Sequence, residues 1–162
     1  MGCFFHKAKT VTDGVIEQVL LCRIGGRLCA LPTGCVVETM RPLPIEPIAG
    51  APRLVRGLAI IRGSPVPVLD VGEWLGTKVE RATRFVTVKT GDQLVALVVD
   101  GVVGMRAISM QSLQTLPPLL REAGAEAIAA IARLDAELLF VLRGIRCMPE
   151  LLAGSGMQGD SP

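Results

Sequence analysis

The sequence predicts an all-β protein, a barrel or sandwich of short strands, and three features of the chain predict it. Half of the 162 residues are hydrophobic while 3% are aromatic and none is tyrosine. The core therefore has to be assembled from Val, Leu, Ile and Ala, a set that suits close-packed strands. Short apolar runs recur along the chain, and glycine pairs and prolines punctuate them as turn residues do between strands.

Taken in order, Val15 to Ile24 (VIEQVLLCRI) and Leu28 to Leu31 (LCAL) flank Gly25-Gly26, a pair that supplies the positive φ angles of a tight hairpin. Pro32 and Gly34 end that hairpin, and Val36 to Met40 resumes in extended or short helical form. The segment Pro42 to Pro52 (PLPIEPIAGAP) holds four prolines, which forbid a central strand and leave an ordered loop or an edge. Leu54 to Ile61 reads as a strand interrupted by Gly57, Gly63-Ser64 as a turn, and Val66 to Leu69 as a strand whose edge Pro65 and Pro67 keep unpaired. Asp70 then caps one short helical turn, VGEWLG, that Gly76 ends, and the charged TKVERATR is a loop.

Phe85 to Lys89 and Leu94 to Val99, joined through Gly91-Asp92, are followed by Val102 to Ile108 after Gly101, giving three consecutive antiparallel strands. Ala123 to Leu134 fits a helix by alanine propensity and a strand by its length and the hairpin-like LDAELLFVL that follows; local rules leave both open. Ile145 to Leu152 reads as a terminal helix, and residues 1–14 and 155–162 as tails.

Charge and side-chain chemistry narrow the function by elimination. A formal net charge of +2 is far from the basic balance that a phosphate backbone demands, and few aromatics are present to stack bases, so nucleic acid is excluded as the expected partner. The charge is uneven, however: Arg41, Arg53, Arg56 and Arg62 stand against the single carboxylate Glu46 between positions 41 and 62, a basic stretch suited to a local acidic partner. The one histidine, His6, lies in the expected tail, which leaves no histidine base for a nucleophile; spacing alone leaves open cysteine catalysis without histidine or a carboxylate pair. Asp70, Glu73 and Asp100 read as capping or solvated carboxylates. Cys3, Cys22, Cys29, Cys35 and Cys147 are odd in number and form no CxxC pair, so they read as small buried hydrophobes in a reducing compartment. No phosphate-binding glycine motif, metal shell or cofactor motif is present, no apolar run reaches the roughly 18 residues of a membrane span, and the first residues lack the apolar core of a secretory signal. The expectation is a cytoplasmic binding module without enzymatic activity.

One long stretch carries a resemblance. Gly57 to Gly76 (GLAIIRGSPVPVLDVGEWLG) resembles the signature of the CheW-like family, a strand ending in an Arg-Gly turn that leads to a second strand with an aspartate and a short helix. ALP at Ala30 to Pro32, VVETMR at Val36 to Arg41, ALVVDGVVGMRAI from Ala96 to Ile108 and LPPLL after it follow the family's order, so that the resemblance covers a domain expected at 15–154. It implies two five-stranded SH3-like barrels packed together with a hydrophobic groove between them, and a strand over Ala127 to Leu134. It also implies an adaptor that joins the cytoplasmic tips of methyl-accepting chemoreceptors to the regulatory domain of a CheA-type histidine kinase. The alternatives within this reading are a divergent signalling pathway, such as surface motility or second-messenger control, and a small-ligand sensor using the groove.

On the same resemblance Arg62 matches the arginine of the Arg-Gly turn and is the expected partner contact, an arginine being a common interface anchor. Glu38 matches an acidic position before the proline-rich loop, and Arg56, Val36, Leu58, Val98 and Val102 complete the expected partner-facing set. Gly57, Gly63 and Asp70 are expected to be structural, as a bulge, a turn and a cap. The chain differs from the common family pattern in having Ile60 before the Arg-Gly turn, and Ala132 and Ala136 near the last hairpin where glycines are frequent.

Overall fold

The computed structural model describes residues 8–11, 14–119 and 128–142. Their strands are β1 (Ala8–Val11), β2 (Gly14–Ile24), β3 (Arg27–Pro32), β4 (Val36–Met40), β5 (Val55–Ile61), β6 (Ser64–Leu69), β7 (Arg84–Thr90), β8 (Gln93–Val99), β9 (Gly101–Ser109), β10 (Ile128–Leu134) and β11 (Glu137–Leu142). Short 3-10 turns lie at Thr33–Cys35, Val71–Leu75 and Met110–Ser112. The all-β class and the strand at 128–134 match the expectation. The expected terminal helix, Cys3, His6, Cys147 and residues 155–162 lie outside the described residues; within the first 14, Ala8–Val11 pairs with β2 as a strand.

The strands form two sheets built to one plan. In the second barrel the order is β4-β7-β8-β6-β5, and in the first it is β9-β2-β3-β11-β10, with β1 added to β2. Each sheet holds one parallel pair, β6 with β8 and β11 with β3. Each also curls until the segment after its first strand bridges its last. Glu46 and Leu58 exchange hydrogen bonds of 2.7 and 2.9 Å, and Gln114 and Ile131 exchange two of 2.8 Å. Bulges fall at matching places, in β4 and β9 and at the starts of β5 and β10. The second barrel uses one continuous stretch of chain, whereas the first takes β2 and β3 from before it and β9–β11 from after it.

This arrangement explains why VIEQVLLCRI does not alternate polar with apolar. Val19 and Leu21 of β2 point into the first barrel with Leu28, Ala30, Leu139 and Val141. Leu20, Cys22 and Ile24 point the other way, with Cys29 and Leu31, into a larger core shared with Val68, Leu69, Val86 and Leu97 of the second barrel. A strand buried on both faces reads as a near-continuous apolar run, and each fully buried Leu or Ile along it contributes about 2 kcal/mol.

Three expectations need correction. Val102 to Ile108 does not join β7 and β8 as a third antiparallel strand: after Asp100 the chain crosses to the first barrel, where β9 pairs with β2. The β5–β6 turn is Arg62-Gly63 rather than Gly63-Ser64, with φ of 51° and 83°, the left-handed pair that matches strand twist in a two-residue hairpin. Finally, β6 is not an edge strand, since it pairs with β5 along its length and with β8 at Val68 and Leu69.

Candidate functional site

The prolines of β6 do restrict pairing, on one side and over half the strand. Leu58 gives both its backbone N–H and its carbonyl to Glu46, on the side away from β6. In antiparallel register Leu58 faces Pro67 and Ile60 faces Pro65, so those pairs are the non-hydrogen-bonded kind and the backbone polar edges of Pro65 and Pro67 turn toward β8. Neither proline has an N–H to offer there. The β6–β8 ladder accordingly holds only at Val68↔Ala96 and Leu69↔Leu97 and opens toward Pro67.

The first barrel shows the same place filled. There Phe140, facing Ile131 as Pro67 faces Leu58, pairs with Cys29 and extends the parallel ladder back to Leu139↔Leu28. The Arg27 guanidinium lies over the Phe140 ring, 5.6 Å from its centroid. In the second barrel the opened ladder leaves a groove of about 590 Å³, lined by Leu58, Pro65, Pro67, Gln93 and Leu94 with Arg62 at its rim. Beside it, on the same face of β5 as Leu58, Ile60 is 63% exposed. An exposed apolar strip along an apolar groove is the form of a protein-docking surface.

Arg62 reaches back from its turn to β4, where Nε and Nη2 donate to the two Glu38 carboxylate oxygens at 3.0 and 2.7 Å. These hydrogen bonds hold the Glu38 carboxyl below its ordinary value and raise the Arg62 guanidinium above its own. The pair ties the β5–β6 turn, at the rim of the groove, to β4. Arg106 of β9 and Asp135 of the β10–β11 turn, 3.3 Å apart, connect the corresponding elements of the first barrel with the charges reversed.

The remaining expected residues divide into groups. Gly57 sits at the β5 bulge with φ 146°, and Gly63 completes the Arg62 turn. Asp70, 2% exposed, accepts from Gly72 N at 2.9 Å, Val79 N at 3.1 Å and Arg56 Nη2 at 2.8 Å, while Arg56 also donates to the Val79 carbonyl. Arg56 is thereby held by the cap of the 3-10 turn and turned away from the groove. Val36, the first residue of β4, and Val102, the second of β9, pack onto the larger core. Val98 is fully buried and presents nothing to a partner, which corrects its place in the expected set: every β8 residue from Val95 to Val99 is buried. Ile60, Pro65, Pro67 and Leu94 were missed as surface residues; the signal was two apolar pairs at spacing two, Leu58 with Ile60 and Pro65 with Pro67, facing one another across a hairpin.

Among the described residues, a cavity of about 400 Å³ is lined by Gly25 of the first barrel's hairpin turn and by Lys78, Glu80, Arg81, Thr83 and Asp100. Cys22, Cys29 and Cys35 are buried; burial pushes the Cys22 thiol well up and the Cys29 thiol up to about 12, which keeps both protonated and unreactive. Among the described residues no group of His, Cys, Asp and Glu is placed to hold a metal ion, and no helix is long and apolar enough to cross a membrane.

Two closed five-stranded sheets sharing one core, with the Arg-Gly turn beside a groove, define a small β-scaffold of a known kind. The profile of the CheW-like domain family matches residues 18–150, and the chain belongs to that family. It is similar to Protein PilI of Pseudomonas aeruginosa, 32% identical over 101 residues, a match that covers 60% of this chain and 57% of PilI. It is also similar to Chemotaxis protein CheA of Cereibacter sphaeroides, 30% identical over 111 residues, covering 64% of this chain and 15% of CheA. Among solved structures, the scaffolding protein TtCheW from Thermoanaerobacter tengcongensis shares the fold, with a TM-score of 0.67 at 21% identity over 78% of this chain and 88% of that one.

Proposed function

We propose that the domain at 15–154 is a non-enzymatic cytoplasmic adaptor of chemotaxis-type signalling, which couples a chemoreceptor tip to a histidine kinase, and that the groove of the second barrel takes the kinase regulatory domain. The observation that carries this reading is the apolar groove where Pro67 interrupts the β6–β8 ladder, flanked by exposed Ile60 and rimmed by Arg62. An apolar centre with a charged rim supports protein docking. Family membership and the likeness to a chemotaxis protein and a scaffolding protein support the pathway and the absence of catalysis.

The test is calorimetric titration of the full chain with the kinase regulatory domain and with the receptor tip of the same organism. Binding to both is expected, with Ile60→Asp and Arg62→Glu each weakening the kinase domain at least about tenfold while the melting temperature holds. A wild-type chain that is folded and binds neither partner removes the proposal. Binding only to the receptor and kinase of a second sensory system in the organism assigns the adaptor to that divergent pathway instead.

A further inference from the structure

The two barrels share one apolar core, whose close packing holds them together, while the hydrophobic attraction itself has no preferred direction. Among the described residues, directional bonds between the barrels gather at the Gly25-Gly26 turn. Asp100 is the crossover residue between β8 of the second barrel and β9 of the first. Its backbone N–H donates to the Arg23 carbonyl of β2 at 2.8 Å, and its carboxylate oxygen Oδ2 accepts from the Gly26 N–H in the β2–β3 turn at 2.6 Å. Its carbonyl accepts from the Thr83 hydroxyl, at the entry to β7 of the second barrel.

A second bond seats the neighbouring residue of the same turn. Thr77, in the loop after the Val71–Leu75 turn of the second barrel, donates its hydroxyl to the Gly25 carbonyl at 2.9 Å. The fit there is close: a Cβ on Gly25 would lie 2.4 Å from the Thr77 side chain. The tip of the first barrel's hairpin is thus gripped between Asp100 and Thr77, and Arg23, whose carbonyl takes the Asp100 N–H, is itself tied to Glu137 of β11 by a two-pronged ion pair. The grip is therefore connected to both halves of the first barrel.

We propose that Asp100 is a positioning residue: with Thr77 it latches the Gly25-Gly26 turn and sets the angle between the barrels, and so fixes the direction in which the second barrel's groove faces relative to the first barrel. The functional purpose of the latch rests on the coupling reading, because an adaptor that joins two partners transmits geometry only if its own halves are fixed. The latch itself is a property of the free chain and is tested without partners.

Residual dipolar couplings of the full chain give the orientation of each barrel. In the wild type one alignment tensor is expected to fit the amides of both barrels. In Asp100→Ala, separate tensors are expected, together with Gly26 amide exchange about tenfold faster, whereas Asp100→Asn, which keeps an acceptor oxygen, restores the single tensor. If Asp100→Ala does not fold, Thr77→Val removes the other bond at nearly constant volume and carries the same expectation. A single tensor with unchanged orientation, alongside accelerated Gly26 exchange, overturns the latch. Failure of the coupling reading looks different: the wild type binds neither partner whatever the barrel angle.

Discussion

A methyl group at position 57 would lie 2.1 Å from the Glu46 carbonyl oxygen, on a backbone whose φ of 146° L-residues rarely adopt. That carbonyl accepts the Leu58 N–H in the bridge that closes the second barrel, so steric and conformational costs fall on the same closure. Gly57→Ala is expected to lower unfolding free energy by about 3 kcal/mol, read by urea denaturation, with the Leu58 amide losing exchange protection. Position 136 offers the opposite case. Asp135 and Ala136 form the β10–β11 turn with φ of 52° and 69°, where the matching β5–β6 turn has Gly63 as its second residue. Ala136→Gly relieves a left-handed alanine and is expected to stabilise the protein by about 1 kcal/mol; no change in the denaturation midpoint would show that the turn had already relaxed. The Glu38–Arg62 pair has a defined pH window. With the Glu38 pKa depressed, its contribution is present above the ordinary value of 4.5 and disappears as pH falls through the lower folded value.

At the scale of strands, the groove lies where Pro65 and Pro67 offer β8 no N–H. Pro67→Val supplies the missing donor at the position where Phe140 extends the ladder of the first barrel. The expected result is an amide at residue 67 protected from exchange like its neighbours and a groove that binds the kinase domain less well; an amide exchanging as freely as solvent-exposed ones assigns the opening to another cause. The same residue shows what the sequence can and cannot reveal. The prolines' effect on pairing is local chemistry and was legible, as were the hairpins at Gly25-Gly26 and Gly91-Asp92 and the Asp70 cap. Which side of β6 the missing N–H faces depends on Glu46, more than ten residues away, and the departure of β9 to the other barrel depends on a competition between β2 and β8 for a partner. Neither is encoded in a local pattern, so the groove's far wall and the third strand were misplaced. Arg62 was legible through resemblance, since the Arg-Gly turn is short and contiguous.

For the molecule as a whole, the seam between the barrels is where stability and thiol chemistry meet. Cys22 and Cys29 lie opposite one another on β2 and β3 and face the shared core, and Cys35 is 1% exposed. At pH 8 these three are expected to react with a soluble aromatic disulfide only at the rate of unfolding; rapid reaction in the native state would mean that the seam opens on its own. Because the pKa values of Cys22 and Cys29 are raised above the ordinary 9.0 on folding, the stability they contribute is complete below pH 9 and declines as pH rises toward the folded values. Denaturation at pH 8, 9 and 10 should show that decline, and a Cys22→Ala/Cys29→Ala double variant should show less of it.

The split order of the first barrel has a consequence during synthesis. On the ribosome, β2 and β3 emerge before the second barrel and β9 to β11 only after it, so the N-terminal barrel cannot be completed first. While residues 36–99 are being translated, the early hairpin has two greasy faces and lacks three strands of its own barrel. The second barrel is the first unit whose strands are all present, and the hairpin gains its own partners only when β9 to β11 follow.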